Sequence, residues 1–143
     1  MRRVQKSVLV PYSAAQLFAL VDRIEDYPQF LPWCGGTSVT RDGVDAVDAT
    51  ITIDFFGVKQ HFATRNHNTP FTKIEVRLRD GPFSTLQGEW RFKALQADAC
   101  KVELDLQYAF ASATLATVVG PVFDHIADTM IDAFTQRAQA LYG

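Results

Sequence analysis

The sequence predicts an α+β fold in which a curved antiparallel sheet of about six or seven strands wraps around one long C-terminal helix. Apolar and polar residues alternate with a period of two between residues 37 and 110, and turn signals separate the runs. Residues 113–142 instead carry one continuous apolar stripe with helical spacing. Strands that follow one another through hairpins pair antiparallel, and this helix is the only element large enough to cover them. At 143 residues, we expect one domain over residues 1–143.

The N-terminal segment predicts a strand followed by a helix. Residues 4–10 form the strand, which Pro11 ends. Ser13 then begins a capping box and an amphipathic helix. Because a proline drives the preceding residue out of the helical region, we expect the helix to end at Tyr27. A short helical turn over residues 28–31 is expected next.

The middle of the chain predicts a series of hairpin-connected strands. The pair Asp42-Gly43 is a turn signal between two alternating runs. In the clearest strand, the alternate apolar residues from Cys100 to Phe110 share one face, and charged residues fill the other. We expect the strands at residues 37–41, 46–56, 58–66, 74–79, 86–93 and 100–110.

The C-terminal helix carries two features that need an explanation. Gly120-Pro121 must either begin the main helix, with the proline at its first position, or kink it. Asp124, Asp128 and Asp132 recur every four residues, away from the apolar stripe. We interpret them as a solvated face and not as paired acid–base groups.

Composition and charge exclude several classes of protein. A hydrophobic content of 48% argues against disorder, and a net charge of −2 argues against a general nucleic-acid binder. No apolar run reaches the ~18–20 residues of a membrane span. The apolar run Val8–Val10 is too short for a signal-peptide core, so we expect a cytoplasmic protein. Cys34 and Cys100 are expected to be free thiols.

No catalytic or metal-binding constellation is visible. His61, His67 and His125 do not have metal-ligand spacing, and no metal site is expected. The chain has no glycine-rich phosphate loop and no nucleophile elbow. Arg65 and Asn66 are expected to end a strand and could reach inward. We therefore expect a binding protein and not an enzyme.

Several motifs together resemble one known family over essentially the whole chain. They are Tyr12-Ser13, Leu20-Val21, Tyr27-Pro28, Phe30-Leu31-Pro32-Trp33-Cys34, Asp80-Gly81-Pro82-Phe83, Leu86, Trp90, Phe92, Phe134 and Arg137-Ala138. This pattern resembles the RatA / coenzyme Q-binding START-domain family. The resemblance implies a helix-grip (START/Bet v-like) fold with a hydrophobic tunnel, grouped with polyketide cyclases and lipid-transfer domains.

The resemblance implies functions of different classes, and the fold does not choose between them. Mitochondrial members look like ubiquinone-binding proteins that support respiration, so binding of a polyprenyl quinone is the leading expectation. Members similar to RatA are toxins that bind the large ribosomal subunit and block its joining with the small one, with a small ubiquitin-like antitoxin as the partner. A polyketide aromatase/cyclase is the third alternative. We expect no required cofactor, no DNA partner and at most peripheral membrane contact.

A tunnel between the sheet and the C-terminal helix would be lined by inward-facing apolar side chains. Each of these is equally consistent with a filled core, because a pocket-lining residue is a core residue that faces empty volume. The candidates are Tyr27, Phe30, Trp33, Phe55, Phe62, Phe83, Trp90, Phe92, Tyr108, Phe123, Ile126, Met130 and Phe134.

Contact with ribosomal RNA would need a local basic patch on the outer face of the sheet. Arg77 and Arg79 lie on the polar face of one predicted strand, and Arg91 and Lys93 lie on that of the next. If the strands pair, these four side chains would form a compact positive patch. The alternative is ordinary cross-strand mixing with acidic neighbours such as Glu89.

Overall fold

The computed structural model describes all 143 residues, which form seven strands, two α-helices and one 3₁₀ helix. In chain order these are β1 (Arg2–Val10), α1 (Ala14–Asp22), the 3₁₀ helix (Ile24–Gln29), β2 (Cys34–Asp42), β3 (Ala46–Phe55), β4 (Val58–Thr69), β5 (Lys73–Asp80), β6 (Phe83–Gln96), β7 (Ala99–Phe110) and α2 (Ala113–Tyr142). The predicted α+β class and the long C-terminal helix are confirmed.

All seven strands form one antiparallel sheet in the order β1-β7-β6-β5-β4-β3-β2. Strands β2 to β7 follow one another as hairpins, as predicted from the turn signals. Strand β1 pairs with β7 at one edge, whereas β2 forms the other edge. The connection through α1 and the 3₁₀ helix therefore spans the width of the sheet, and it helps to close one end of the core.

The alternation in the sequence decides which face of each strand is buried. In β7, the residues from Cys100 to Tyr108 alternate strictly between buried and half-buried positions. The buried side chains of the sheet join those of both helices in one hydrophobic core, in which Phe134 of α2 is almost fully buried. The sheet thus packs one face on the helices and presents the other to solvent.

The first helix and strand β4 do not end at the predicted residues. The capping box is present, because the Gln16 N–H donates to the Ser13 hydroxyl at 3.1 Å and the Ser13 N–H donates to the Gln16 side chain at 2.9 Å. Helix α1 nevertheless ends at Asp22, and Tyr27 belongs to the 3₁₀ helix. Strand β4 continues to Thr69 and does not end at Asn66, since its last residues still pair with β5.

Helix α2 is continuous through its proline. It begins at Ala113, where the Ser112 hydroxyl accepts a hydrogen bond from the Leu115 N–H at 3.1 Å. Pro121 therefore lies inside the helix, and the alternative that it begins the helix is wrong. No helix of the chain is both long enough and apolar enough to cross a membrane.

The aspartates of α2 correct a second expectation about this helix. Arg2 of β1 lies 2.7 Å from a carboxylate oxygen of Asp124 and 2.7 Å from one of Asp128. The buried Tyr108 hydroxyl also donates to Asp124 and accepts from Arg2 at 3.1 Å. These two carboxylates hold the edge strand against α2 and are not merely solvated, whereas Asp132 is exposed.

The two cysteines are free and buried in this core, as predicted for free thiols. Burial raises the pKa of the Cys34 thiol and that of the Cys100 thiol. Both therefore stay protonated near neutral pH and behave as small apolar side chains.

Candidate functional site

A cavity of about 80 Å³ lies in the core between the inner face of the sheet and the helices. Its walls come from all three helices and from strands β3 to β7. They are apolar except at one side. The lining residues are Val21, Ile24, Tyr27, Trp33, Ile51, Phe62, Thr64, Asn66, Ile74, Val76, Gly88, Glu89, Trp90, Leu104, Leu106, Phe123, Ile126 and Met130.

One inward position of the sheet in the cavity wall, Gly88, carries no side chain. Leu106, Gly88, Val76 and Asn66 are cross-strand neighbours in one row of the inner face. A Cβ atom at Gly88 would lie 2.8 Å from Leu106 Cδ1, so a side chain there would displace its neighbour. The Leu106 side chain therefore covers Gly88, and both residues form part of the cavity wall.

The polar side of the cavity belongs to β4. Thr64, Asn66 and Asn68 are the buried polar residues of the chain, and they alternate along the inner face of this strand. The Thr64 hydroxyl donates to Asn66 Oδ1 at 3.0 Å, and both residues line the cavity. Asn68 lies beyond the cavity and donates to Asp22 at 2.8 Å, while its own carbonyl oxygen has no partner.

Many of the sequence-predicted residues do line this cavity, including both tryptophans of the chain. They are Tyr27, Trp33, Phe62, Trp90, Phe123, Ile126 and Met130. The others lie elsewhere. They are Phe30, Phe55, Phe83, Phe92, Tyr108 and Phe134.

Phe83, Phe92, Tyr108 and Phe134 are core residues. Phe83 packs edge-to-face on Phe123, with ring centroids 4.8 Å apart, and closes the end of the sheet. Phe134 has three aromatic neighbours, Tyr27, Phe30 and Trp90. Each ring centroid lies 5.3 Å from that of Phe134, in edge-to-face geometry. None of these four rings lines the cavity, and Phe92 borders the open depression at the end of β5 and β6, so their contact with a ligand stays a prediction.

Phe30 and Phe55 line an external groove of about 510 Å³ between α2 and the segment that follows the 3₁₀ helix. The Arg137 guanidinium lies 4.9 Å from the centre of the Phe30 ring, and the His125 ring stacks on Phe55 at 5.6 Å. Trp33 lines both this groove and the internal cavity. Its buried indole therefore separates the two spaces.

Tyr27 and Glu89 are the titratable residues in the lining, and both side chains are already engaged. The Tyr27 hydroxyl donates to the Val21 carbonyl at 2.5 Å, and burial raises its pKa, so it stays protonated. The Glu89 carboxylate points to the outer face, 3.0 Å from Arg91. The cavity is thus a small apolar space with one polar side, formed by Thr64 and Asn66 of β4.

Most of the aliphatic lining was not predicted from the sequence, because the predicted set consists mainly of aromatic residues. The missed side chains include Ile74, Val76, Leu104 and Leu106, all at inward positions of the alternation. The polar pair was detectable by a simple signal. Thr64 and Asn66 follow the apolar Phe62 at inward positions of β4, and Asn66 does reach inward as considered for it.

The outer face of the sheet does not form one compact positive patch. Glu75 and Glu89 are cross-strand partners that lie between the basic residues of β5 and β6. On one side of them, the Arg77 guanidinium donates to the Gln87 side chain at 2.8 Å, and Arg79 lies 3.1 Å from Asp48. The predicted patch is therefore two separate groups.

The second basic group lines an open depression of about 720 Å³ at the end of β5 and β6. Lys73 and Arg91 are cross-strand partners there, and Lys93 is exposed beside them. Arg91 and Lys73 contact Glu89 at 3.0 and 3.7 Å. Lys93 has no carboxylate partner, so the depression keeps an unneutralised cation.

A family model described as polyketide cyclase / dehydrase and lipid transport matches residues 10–135. The chain belongs to this family. Its members share the sheet-around-helix architecture described above, and the resemblance to the RatA / coenzyme Q-binding START-domain proteins is confirmed.

Individual relatives place the chain more closely within the family. It is 44% identical to the ribosome association toxin RatA of Pseudomonas aeruginosa, over 98% of this chain and 97% of that protein. It is 23% identical to the mitochondrial coenzyme Q-binding protein COQ10 homolog B of Xenopus laevis, over 96% of this chain and 58% of that protein.

Solved structures agree with this assignment. The 18 kDa protein CC1736 of Caulobacter crescentus is 36% identical and superposes with a TM-score of 0.76, over 100% of this chain and 99% of that one. The Zhui aromatase/cyclase of a Streptomyces species superposes with a TM-score of 0.79 at 19% identity, over 96% of this chain and 93% of that one. At that identity the second likeness shows the fold alone.

Proposed function

We propose that this protein associates with the ribosome. The supporting observation is the 44% identity, over nearly the whole of both chains, to a protein named for ribosome association. This identity reverses the order in which the sequence analysis ranked its two functions. Contact with the large subunit and a small ubiquitin-like antitoxin, both implied by the resemblance, are part of the proposal.

We assign the RNA contact to the depression formed by Lys73, Arg91 and Lys93. A concave surface with an unneutralised cation can follow a phosphate backbone, and such contacts position a protein on RNA without reading its bases. Arg77 and Arg79 form the other basic group. In it, Arg79 is paired with Asp48, and Arg77 donates to the neutral Gln87 side chain.

The double variant Arg91→Glu/Lys93→Glu is expected to lose co-sedimentation with purified large subunits near physiological salt. Each phosphate contact adds about 0.7–0.9 to the slope of log affinity against log salt, so two lost contacts should lower that slope by about 1.4–1.8. The measurement is the fraction of protein that sediments with subunits across a salt series.

The matched control is Arg77→Glu/Arg79→Glu, which makes the same change in charge on the same outer face of the sheet, but on β5 instead of β6. It should keep most of the wild-type slope. Equal losses in both double variants would mean that general charge, and not the depression, drives binding. Absence of co-sedimentation by the wild type at low salt would overturn ribosome association itself.

A second function, binding of an apolar ligand such as a polyprenyl quinone, is supported by the internal cavity. Burial of each methylene contributes about 0.8 kcal/mol, so a few isoprene units give micromolar affinity. The cavity is smaller than the about 150 Å³ that holds a benzene ring in an apolar core, so a quinone requires side chains to move. Met130 is the flexible, half-buried member of the lining, and Trp33 closes the path to the groove.

Met130→Asp is expected to weaken binding of a short-chain ubiquinone analogue by at least about tenfold, because it places a carboxylate in the apolar lining. Trp33 and Trp90 both line the cavity, so quenching of tryptophan fluorescence reports occupancy directly. Gln139→Asp adds the same charge at an exposed position of α2 and should bind as the wild type does. Equal affinity in both variants, with unchanged melting temperatures, would rule out the cavity as the site.

A further inference from the structure

Arg137 of α2 is a half-buried arginine that no carboxylate of the chain neutralises. Seven of the nine arginines form a salt bridge, and the other exception, Arg77, is exposed on the outer face of the sheet. The Arg137 Nη2 group donates to the neutral Gln29 side chain at 2.9 Å, whereas Nε is buried without an acceptor. Nη1 has no partner in the chain and is accessible. A charge that is partly removed from water is stabilised by an opposite charge, and this guanidinium lacks one.

This guanidinium lies at one end of the external groove of about 510 Å³. It is 4.9 Å from the centre of the Phe30 ring, so neutral groups at the end of the 3₁₀ helix fix its position. His125, whose ring stacks on that of Phe55, lines the same groove. His125 is about 18 Å from Arg137 along the axis of α2, at about 1.5 Å per residue. The two side chains therefore cannot bind the same small anion.

The groove between these two ends is apolar and open. Trp33 and Leu31 are buried in its wall on the side of the segment that follows the 3₁₀ helix. On the side of α2, Ala133 and Ala140 carry short side chains that leave the space above the helix free. The volume falls within the about 300–1,000 Å³ of clefts that bind small molecules.

Asp132 is the one carboxylate in the groove lining, and its position determines where an anion is tolerated. Five residues of a helix correspond to about 140° of rotation, so Asp132 lies on the opposite rim from Arg137. Asp132 is exposed and repels an anion on its own rim, which leaves the Arg137 end for a carboxylate. A dianion would find no second cation at that end, so the groove favours a single negative charge.

We propose that this groove is a second ligand site, which binds an apolar monocarboxylate. The carboxylate accepts hydrogen bonds from Nη1 and Nη2 of Arg137, and the apolar body lies over Ala133 and against Phe30 and Trp33. The site is separate from the internal cavity, whose lining contains no lysine or arginine, and from the basic depression. It depends on neither of the functions proposed above.

The test compares octanoate, octanol and octylamine, which share one apolar chain and differ in their head group. The wild-type protein is expected to bind octanoate at least about tenfold more tightly than octanol, because only the carboxylate forms charge-assisted hydrogen bonds with Arg137. Octylamine, which is cationic near neutral pH, should bind more weakly than octanol. Titration calorimetry measures the three affinities. Octanoate should also shift the Arg137 Nε–H resonance in a ¹⁵N-edited NMR spectrum, a readout that requires no variant.

Arg137→Gln removes the charge and should weaken octanoate binding at least about tenfold, while octanol binding stays within about twofold. Arg77→Gln is the matched control, because Arg77 also lacks a salt bridge and also donates to a glutamine side chain. It should bind octanoate as the wild type does. Equal octanoate affinity in Arg137→Gln and the wild type, with unchanged melting temperatures, would overturn the proposal. If Arg137→Gln does not fold, a wild type that shows neither the preference for octanoate nor the Arg137 shift overturns it.

Two competition experiments distinguish this site from the alternatives. Octanoate should stay bound in the presence of a saturating short-chain ubiquinone analogue, and displacement would place both in the internal cavity and overturn the groove as the site. Octanoate binding without any quinone binding would remove the quinone function alone. An acetylated leucine–phenylalanine–alanine peptide carries the same carboxylate at its C-terminus. Tighter binding of this peptide than of octanoate would show that the groove takes the end of a protein chain, and it would overturn the small-molecule class.

Discussion

Replacing Phe134 with alanine is expected to lower the free energy of unfolding by about 3–5 kcal/mol. The side chain is 1% exposed, and the rings of Tyr27, Phe30 and Trp90 surround it in edge-to-face geometry. Truncation would remove the ring from an already filled region and leave a void that three rigid aromatic neighbours cannot close. The loss should be near the upper end of the range for this reason.

Met130→Ala is the matched control on the same helix. Met130 is half-buried and already borders empty volume, so its truncation enlarges an existing cavity and should cost about 1–2 kcal/mol. Urea unfolding of both variants, followed by tryptophan fluorescence and extrapolated to water, measures the difference. Equal losses at the two positions would show that Phe134 faces free volume as Met130 does.

This pair of residues shows where sequence reasoning succeeds. The helical stripe of α2 identifies both Phe134 and Met130 as inward-facing, and the period-two runs identify the inner face of each strand. Those patterns depend on local geometry alone, because side-chain direction follows from the period of a helix or strand. The order of the hairpins then follows from the turns, so nearly the whole sheet could be predicted.

The same residues show where sequence reasoning ends. Whether an inward side chain meets packed atoms or a cavity depends on which residues of other strands lie opposite it. Gly88, for example, lies between Val76 and Leu106 across the sheet, and this register lets the Leu106 side chain cover it. Register also divides the basic patch, since Glu75 lies directly opposite Glu89. The periodicity within one strand does not reveal which residues lie opposite it on the neighbouring strands.

The ion pairs at the edge of the fold also depend on which elements lie side by side. Asp124 and Asp128 have the spacing of a solvated helix face, and nothing in α2 itself distinguishes them from Asp132. Their pairing with Arg2 arises because β1 lies beside β7 at the sheet edge that α2 crosses. The hydrogen bonds to Asp128 and Asp124 raise the pKa of Arg2, so these charges persist at all pH values at which the carboxylates are ionised.

The turn between β5 and β6 provides the second large expected effect, because Gly81→Ala should destabilise the protein by about 3 kcal/mol or more. Gly81 has a φ of +144°, a conformation that side chains rarely adopt. A Cβ atom there would lie 2.7 Å from Phe62 Cβ and 3.1 Å from Phe62 Cα. The obstruction is the base of a side chain and the backbone, neither of which can rotate away.

Gly57→Ala separates the steric effect from the backbone effect. Gly57 also has a positive φ, of +78°, but an added Cβ would meet no atom within 4 Å. Its substitution should therefore cost only the conformational preference, about 1–2 kcal/mol. Because Phe62 lines the cavity, Gly81→Ala should also alter ligand-induced fluorescence quenching, whereas Gly57→Ala should not. Equal unfolding free energies for the two variants would mean that the turn at Gly81 shifts enough to accommodate a Cβ atom, and that contact with Phe62 adds no steric cost.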